Sequence, residues 1–289
     1  MDTAVIEISG ALNAASSLFL ASAGLTLIFG AMRVINLAHG SFYMFGAFGM
    51  TSIVGFSTGS RFWWAIAVVA LAVGAIGVAV EVGVIRRIYG KEHLTQLLAT
   101  YALFLIFADL GLRVWGSESR AVPVPLSFLG AMEIAGEPIP KYNLVVVGAA
   151  LAVGVGLWLL LRRTAIGWKI RAAVDDPELL EAGGVNLQRL FTVVFALGAL
   201  LAGLGGAVIS PQIAVTPGID GSIIVGAFIV TVVGGLGSIV GAAIGALLIG
   251  ASETAGTLIA PEWSSTFPYL AMILILAARP WGLFGTPER

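Results

Sequence analysis

Between Arg61 and Glu81 the chain runs for nineteen residues without a charge, an amide or a hydroxyl group. At about 1.5 Å per residue, a helix of that length is roughly 28 Å long, close to the hydrocarbon thickness of a bilayer. A helix packed on an aqueous core would carry a 3.6-residue apolar stripe with polar positions between, and this run has none. Similar apolar segments cover 8–30, 34–56, 62–85, 94–114, 142–161, 191–213, 222–236, 238–259 and 265–279. The expected fold class is all-α: a polytopic transmembrane helix bundle of about eight to ten membrane segments, forming one domain over 1–289. Segment 222–236 is short for a crossing and reads as a broken or re-entrant piece.

Composition closes off other classes. Hydrophobic residues make up 58% and charged ones 11% of the chain, against roughly 25% charged in a soluble domain. A net charge of −1 gives no reason to expect nucleic acid as a partner, and the chain has no cysteine. Disulfides, thiolate metal sites and cysteine catalysis are thereby excluded. The only histidines, His39 and His93, make a histidine metal site a poor expectation. Asp2 and Glu7 precede the first apolar run with no basic residue, so that run reads as a span and not as a cleaved signal.

Basic residues set the expected orientation. Arg33, Arg86, Arg87, Lys91, Arg162, Arg163, Lys169, Arg171, Arg189, Arg279 and Arg289 fall on one side of the nine segments. Arg61, Arg113, Arg120 and Lys141 fall on the other. The first side is therefore taken as cytoplasmic, with the C-terminus inside and the N-terminus outside. The external loop, 115–142, holds Pro123, Pro125, Pro138 and Pro140, and its Ala-Val-Pro-Val-Pro stretch must be extended. It is a candidate docking surface for an external partner.

The cytoplasmic loop, 162–190, holds five basic and four acidic residues. Asp176 followed by Pro177 is a helix start, and Gly183-Gly184 is the matching stop. The loop should present a short exposed helix, Pro177–Ala182. A loop that merely obeyed the positive-inside rule would need the arginines but not a capped acidic helix. A protein-binding role accounts for both.

The stretch GLTLIFGAMRVINLAHGSFYMFGAFG, from Gly24 to Gly49, resembles the start of the LivH-type permeases of bacterial branched-chain amino acid ABC transporters. So do the run from Arg163 to Pro211, with Gly167, Arg171-Ala172, Asp175 and LGALLAGLGGAVISP, and the closing AARPWGLFG. The resemblance implies a permease subunit of an ATP-driven importer for branched-chain amino acids or a related small solute, multi-pass in the cell's inner membrane. It implies as partners a second related permease, two ATP-binding subunits and an extracytoplasmic solute-binding protein. It also implies ATPase coupling through Asp175, Asp176, Glu178, Glu181, Ala182, Gly183 and Gly184. Only Glu181-Ala182 and the nearby glycines match the EAA consensus of many importers. The chain itself is expected to hold no cofactor: it has no G-x-x-x-x-G-K-[ST] loop, and Gly90-Lys91 is followed by Glu92. ATP-Mg would belong to the partner.

Polar groups inside apolar runs are costly and therefore mark candidate path residues. Asn36 and His39 lie three apart, expected on one helix face, and Ser41 and Tyr43 continue the trace. A helix-packing hydrogen bond explains them about equally well. Glu81 and Glu253 lie near span ends, within snorkelling reach of water. Gly237, Gly241 and Gly245 form a small-xxx-small packing run in one segment. His39–Phe48 is faintly similar to Asp220–Phe228, as an inverted repeat of broken helices would be.

Two other functions compete. A stand-alone secondary transporter or channel would need ionisable residues at mid-membrane, whereas the acids appear near span ends. An intramembrane enzyme would need a nucleophile with its base, or a metal cluster, and neither is apparent.

Overall fold

A computed structural model describes residues 2–55 and 61–285; Arg289 of the basic tally lies outside them. The apolar runs fold as helices: α1 Asp2–Met32, α2 His39–Val54, α3 Arg61–Gly83, α4 His93–Trp115 and α5 Tyr142–Arg163. Two short helices follow, α6 Ala165–Asp175 and α7 Pro177–Ala182, and then α8 Leu187–Ile209, α9 Ile219–Gly234, α10 Ile239–Ile259 and α11 Phe267–Ala278. Six of these, α1, α3, α4, α5, α8 and α10, are long and apolar enough to cross a membrane.

The second segment departs from expectation. Helix was expected over 34–56, but α1 ends at Met32, Arg33 takes a left-handed φ of 52°, and helix resumes only at His39. Asn36 therefore lies in an irregular turn ahead of α2 and not on a helix face with His39. The turn is buried, so its backbone groups need partners. Thr100 of α4 donates to Ile35 O at 3.0 Å, and His39 N donates to Asn36 O at 3.2 Å. With α2 and α9 both 16 residues long, each covers about 24 Å. The expected shortness of 222–236 thus holds for both members of the suspected repeat.

α8 lies at the centre. A Cβ on Gly203 would meet Val73 of α3 at 2.7 Å, and one on Gly198 would stand 2.9 Å from Gly24 O of α1. Gly206 packs on the backbone of Tyr43 and Ala47 in α2. Lipid tails do not drive helices together as water does, so backbone contact over small residues supplies the cohesion. On α10, Gly241 and Gly245 abut Gly234 of α9 in the same way. Gly237 does not share their helix. It sits in the α9–α10 turn at φ 85°, and a Cβ there would lie 2.7 Å from Gly30 Cα.

The loop 115–142 is more ordered than its prolines suggested. Ala121–Pro125 forms no helix, and β1 Ala131–Ile134 pairs antiparallel with β2 Glu137–Pro140. Their two-residue turn, Ala135-Gly136, takes φ 53° and 87°, as a tight hairpin of right-twisted strands requires. Alanine at the first turn position hid the hairpin, because the usual signal is Asn or Asp before Gly.

Candidate functional site

The Arg-rich loop is a relay of two capped helices, α6 and α7, between α5 and α8. Thr164 ends α5 and starts α6, its hydroxyl donating to Leu160 O at 2.6 Å and accepting from Gly167 N at 3.1 Å. Asp176 then accepts from Leu179 N at 2.9 Å, Pro177 opens α7, and Asn186 accepts from Arg189 N at 2.9 Å at the start of α8. Gly184 at φ 83° turns the chain between them. α6 is the element that sequence reasoning missed. Its buried Gly167, Ile170 and Ala173 recur every three residues, a period short enough to be hidden by the surrounding charges.

α7 buries nothing. Asp175, Asp176, Glu178, Glu181, Ala182, Gly183 and Gly184 are all exposed, and Leu179 among them is 70% exposed. An apolar side chain ringed by acids on a two-turn helix adds nothing to this chain's own packing. The relay is also tied back where the Arg33 guanidinium donates to Val174 O at 3.4 Å. That contact links the end of α6 to the irregular turn before α2.

In the interior, the first turns of α2 and α9 meet. Ser41 Oγ donates to Asp220 Oδ2 at 3.1 Å, and Gly40 packs on the Asp220 carbonyl. His39 Nε2–H donates to Ala21 O of α1 at 3.1 Å. Asn36, His39, Ser41, Tyr43 and Asp220 are all fully buried. Neither of the two grooves described below is lined by any of them.

A model of the family described as branched-chain amino acid transport system / permease component matches residues 7–276. The chain belongs to that family. The permease is 27% identical to the high-affinity branched-chain amino acid transport permease BraD of Pseudomonas aeruginosa, over 98% of this chain and 96% of that protein. It is 27% identical to LivH of Escherichia coli, over 94% of this chain and 92% of that protein. It is also 27% identical to the fructose import permease FrcC of Rhizobium meliloti, over 96% of this chain and 76% of that protein. No solved structure matches the chain.

A second polar cluster in the permease joins α3 to α8 just beyond the relay. Glu81 was expected to snorkel, but it is fully buried and fully bonded. It accepts from Arg86 Nη2 at 2.9 Å, Tyr89 Oη at 2.6 Å and Thr192 Oγ1 at 2.8 Å. Burial and the donated bond to this carboxylate hold the Tyr89 phenol well above its ordinary pKa range. Glu253, by contrast, is exposed on α10. Asp109 and Arg113, one turn apart on α4, form an exposed ion pair at 2.6 Å.

Two grooves open at the Arg-rich end. One, of about 380 Å³, runs between α6 and the start of α8, beside Lys169, Asn186 and Arg189. The other, of about 600 Å³, lies between α1, α5 and α10.

Proposed function

We propose that the permease is the membrane subunit of an ATP-driven importer and that α7 seats on a separate ATPase subunit. The observation that carries this reading is the helix itself, fixed by caps at both ends, with Leu180 packed against the core and every other residue exposed. Within the described residues Asp176 caps the helix, Asp175, Glu178 and Glu181 form no salt bridge, and Leu179 is left exposed. Asp175, Asp176, Glu178 and Glu181 supply charge to a complementary surface, and the Gly183-Gly184 turn sets the angle at which α8 leaves. The bond from Arg33 to Val174 O gives motion of the relay a route to the α2 junction.

In this reading the Arg-rich end is cytoplasmic, with the C-terminus there and the N-terminus outside. The hairpin end then faces an extracytoplasmic solute-binding protein, and a second related permease completes the path. The complete burial of Asn36, His39, Ser41 and Tyr43 favours their packing role over direct contact with solute. Relatives named for branched-chain amino acids over nearly the full chain favour those solutes, and the fructose permease among the relatives keeps the solute a matter for assay.

The test is reconstitution with the ATPase and binding-protein partners in vesicles, with solute uptake and ATP hydrolysis followed together. Replacing Asp175, Asp176, Glu178 and Glu181 with alanine should abolish uptake while the spans stay folded, and ATP hydrolysis should be lost or run idle. Wild-type uptake by this variant would refute the coupling role.

One observation favours a second reading. Asp220 is buried at the start of a broken helix, where an ion-coupled transporter would place a carboxylate. Ion-gradient-driven uptake by the chain alone, abolished by Asp220→Asn, would establish it.

A further inference from the structure

The 600 Å³ groove has an apolar length and a cationic end. Its walls are Phe19 of α1, Val155 and Trp158 of α5, and Ile239, Val240 and Ile244 of α10. At the Arg-rich end it is closed by Arg162, Arg171 and Ser238. Neither arginine forms an ion pair among the described residues, where the salt bridges are Glu81–Arg86 and Asp109–Arg113. Both guanidinium groups are instead held beside indoles, Arg162 at 5.5 Å from the Trp158 ring centre and Arg171 at 6.0 Å from that of Trp168. Arg171 also donates to Leu161 O, which fixes its direction at the foot of α5. The start of α10 opens here too, so its free N–H groups add to the positive end.

We propose that this groove holds an anionic phospholipid of the cytoplasmic leaflet, one acyl chain lying between α5 and α10 and the phosphate meeting Arg162 and Arg171. The placement rests on the orientation proposed above. An acyl chain needs a dry aliphatic slot, and Val155, Ile239, Val240 and Ile244 provide one. A phosphate needs guanidinium donors free of carboxylates, and planar guanidinium matches its oxygens in paired hydrogen bonds. Basic pockets between spanning helices on the cytoplasmic side suit lipid head groups for these reasons. Along the walls a polar solute would find a single side-chain hydrogen-bonding group, the Trp158 indole. A zwitterionic lipid brings the same phosphate but offsets it with its own ammonium group, so a lipid of net negative charge matches the two cations better.

The test is lipid retention by the purified assembly in detergent, exposed to equal amounts of phosphatidylglycerol and phosphatidylcholine and read by native mass spectrometry. Phosphatidylglycerol should be retained in preference on the order of tenfold, since each basic residue contributes about one kcal/mol at a lipid surface. Arg162→Gln with Arg171→Gln should erase the preference, and the paired lysine variant should keep most of it. Val155→Trp leaves both arginines in place and fills the slot from a position 56% exposed; it should lower retention of either lipid without requiring repacking. Equal retention of the two lipids, or a preference untouched by the glutamine pair, would overturn the proposal. So would efficient capture of the second permease subunit by a thiol-attached photo-cross-linker carried on Val155→Cys, which would make the groove a subunit interface. The chain has no cysteine of its own, so that cross-link reads without background. Retention is measured without transport, so failure here is separate from failure of the importer reading.

Discussion

Ser41 Oγ donates to Asp220 Oδ2 at 3.1 Å across 179 residues of sequence, joining the first turns of two 16-residue helices. Helix starts carry partial positive charge and unpaired N–H groups. A carboxyl group buried beside two such starts has donors to accept from, which accounts for an acid in the interior. Asp220→Ala should remove that acceptor and strand the Ser41 hydroxyl, costing about 1–3 kcal/mol. Ser41→Ala should cost less, because the carboxyl group stays. Thermal unfolding of the detergent-purified protein orders the two, and an Asp220→Ala variant as stable as wild type would refute the account.

The Glu81 cluster predicts an asymmetry. Arg86→Ala leaves a fully buried carboxylate held only by Tyr89 and Thr192, a loss of about 3–5 kcal/mol for an uncompensated buried charge. Glu81→Ala leaves an arginine whose side chain is 30% exposed and can reach water, so the damage should be smaller. Measured stabilities in the opposite order would show that the cluster is not closed to solvent.

Glycine positions separate by what a side chain would meet. Gly241→Leu should drive α9 and α10 apart and reduce the yield of folded protein, because the Gly234 backbone occupies the space. Gly148→Ala on α5, where nothing lies within 4 Å, should be neutral or slightly stabilising through helix propensity. Size-exclusion yield and melting temperature read both. A normally assembled Gly241→Leu variant would place that face against lipid.

Leu179→Ala should leave the melting temperature of the chain unchanged, since a surface change away from packed features moves stability by about 0.5 kcal/mol or less. Pull-down of the ATPase partner should nevertheless fall. Unchanged capture would assign Leu179 no part in the contact.

The chain alone should bind no nucleotide. It lacks the lysine-bearing phosphate loop, and equilibrium binding of ATP at micromolar concentration to the purified permease would contradict this.

Features set by local physics were legible in the sequence. The run from Phe62 to Val80 has no way to meet water, so it must be a span, and Asp176-Pro177 with Gly183-Gly184 encodes a start and a stop within nine residues. The family likeness was legible for the same reason, since it rests on contiguous stretches such as Gly24–Gly49. What tertiary structure alone decided concerns residues whose partners are distant in sequence. Val34–Ala38 is as apolar as a helix needs, yet it is held out of helix by a threonine on α4 that accepts the burden of its backbone. Gly237 has the spacing of Gly241 and Gly245 but is claimed by the turn that Gly30 presses against. Glu81 reads as a span-end acid until Thr192, 111 residues away, closes over it. Most buried polar groups have a partner at hydrogen-bond distance. Spacing along the chain does not reveal which distant residue folding will bring to each.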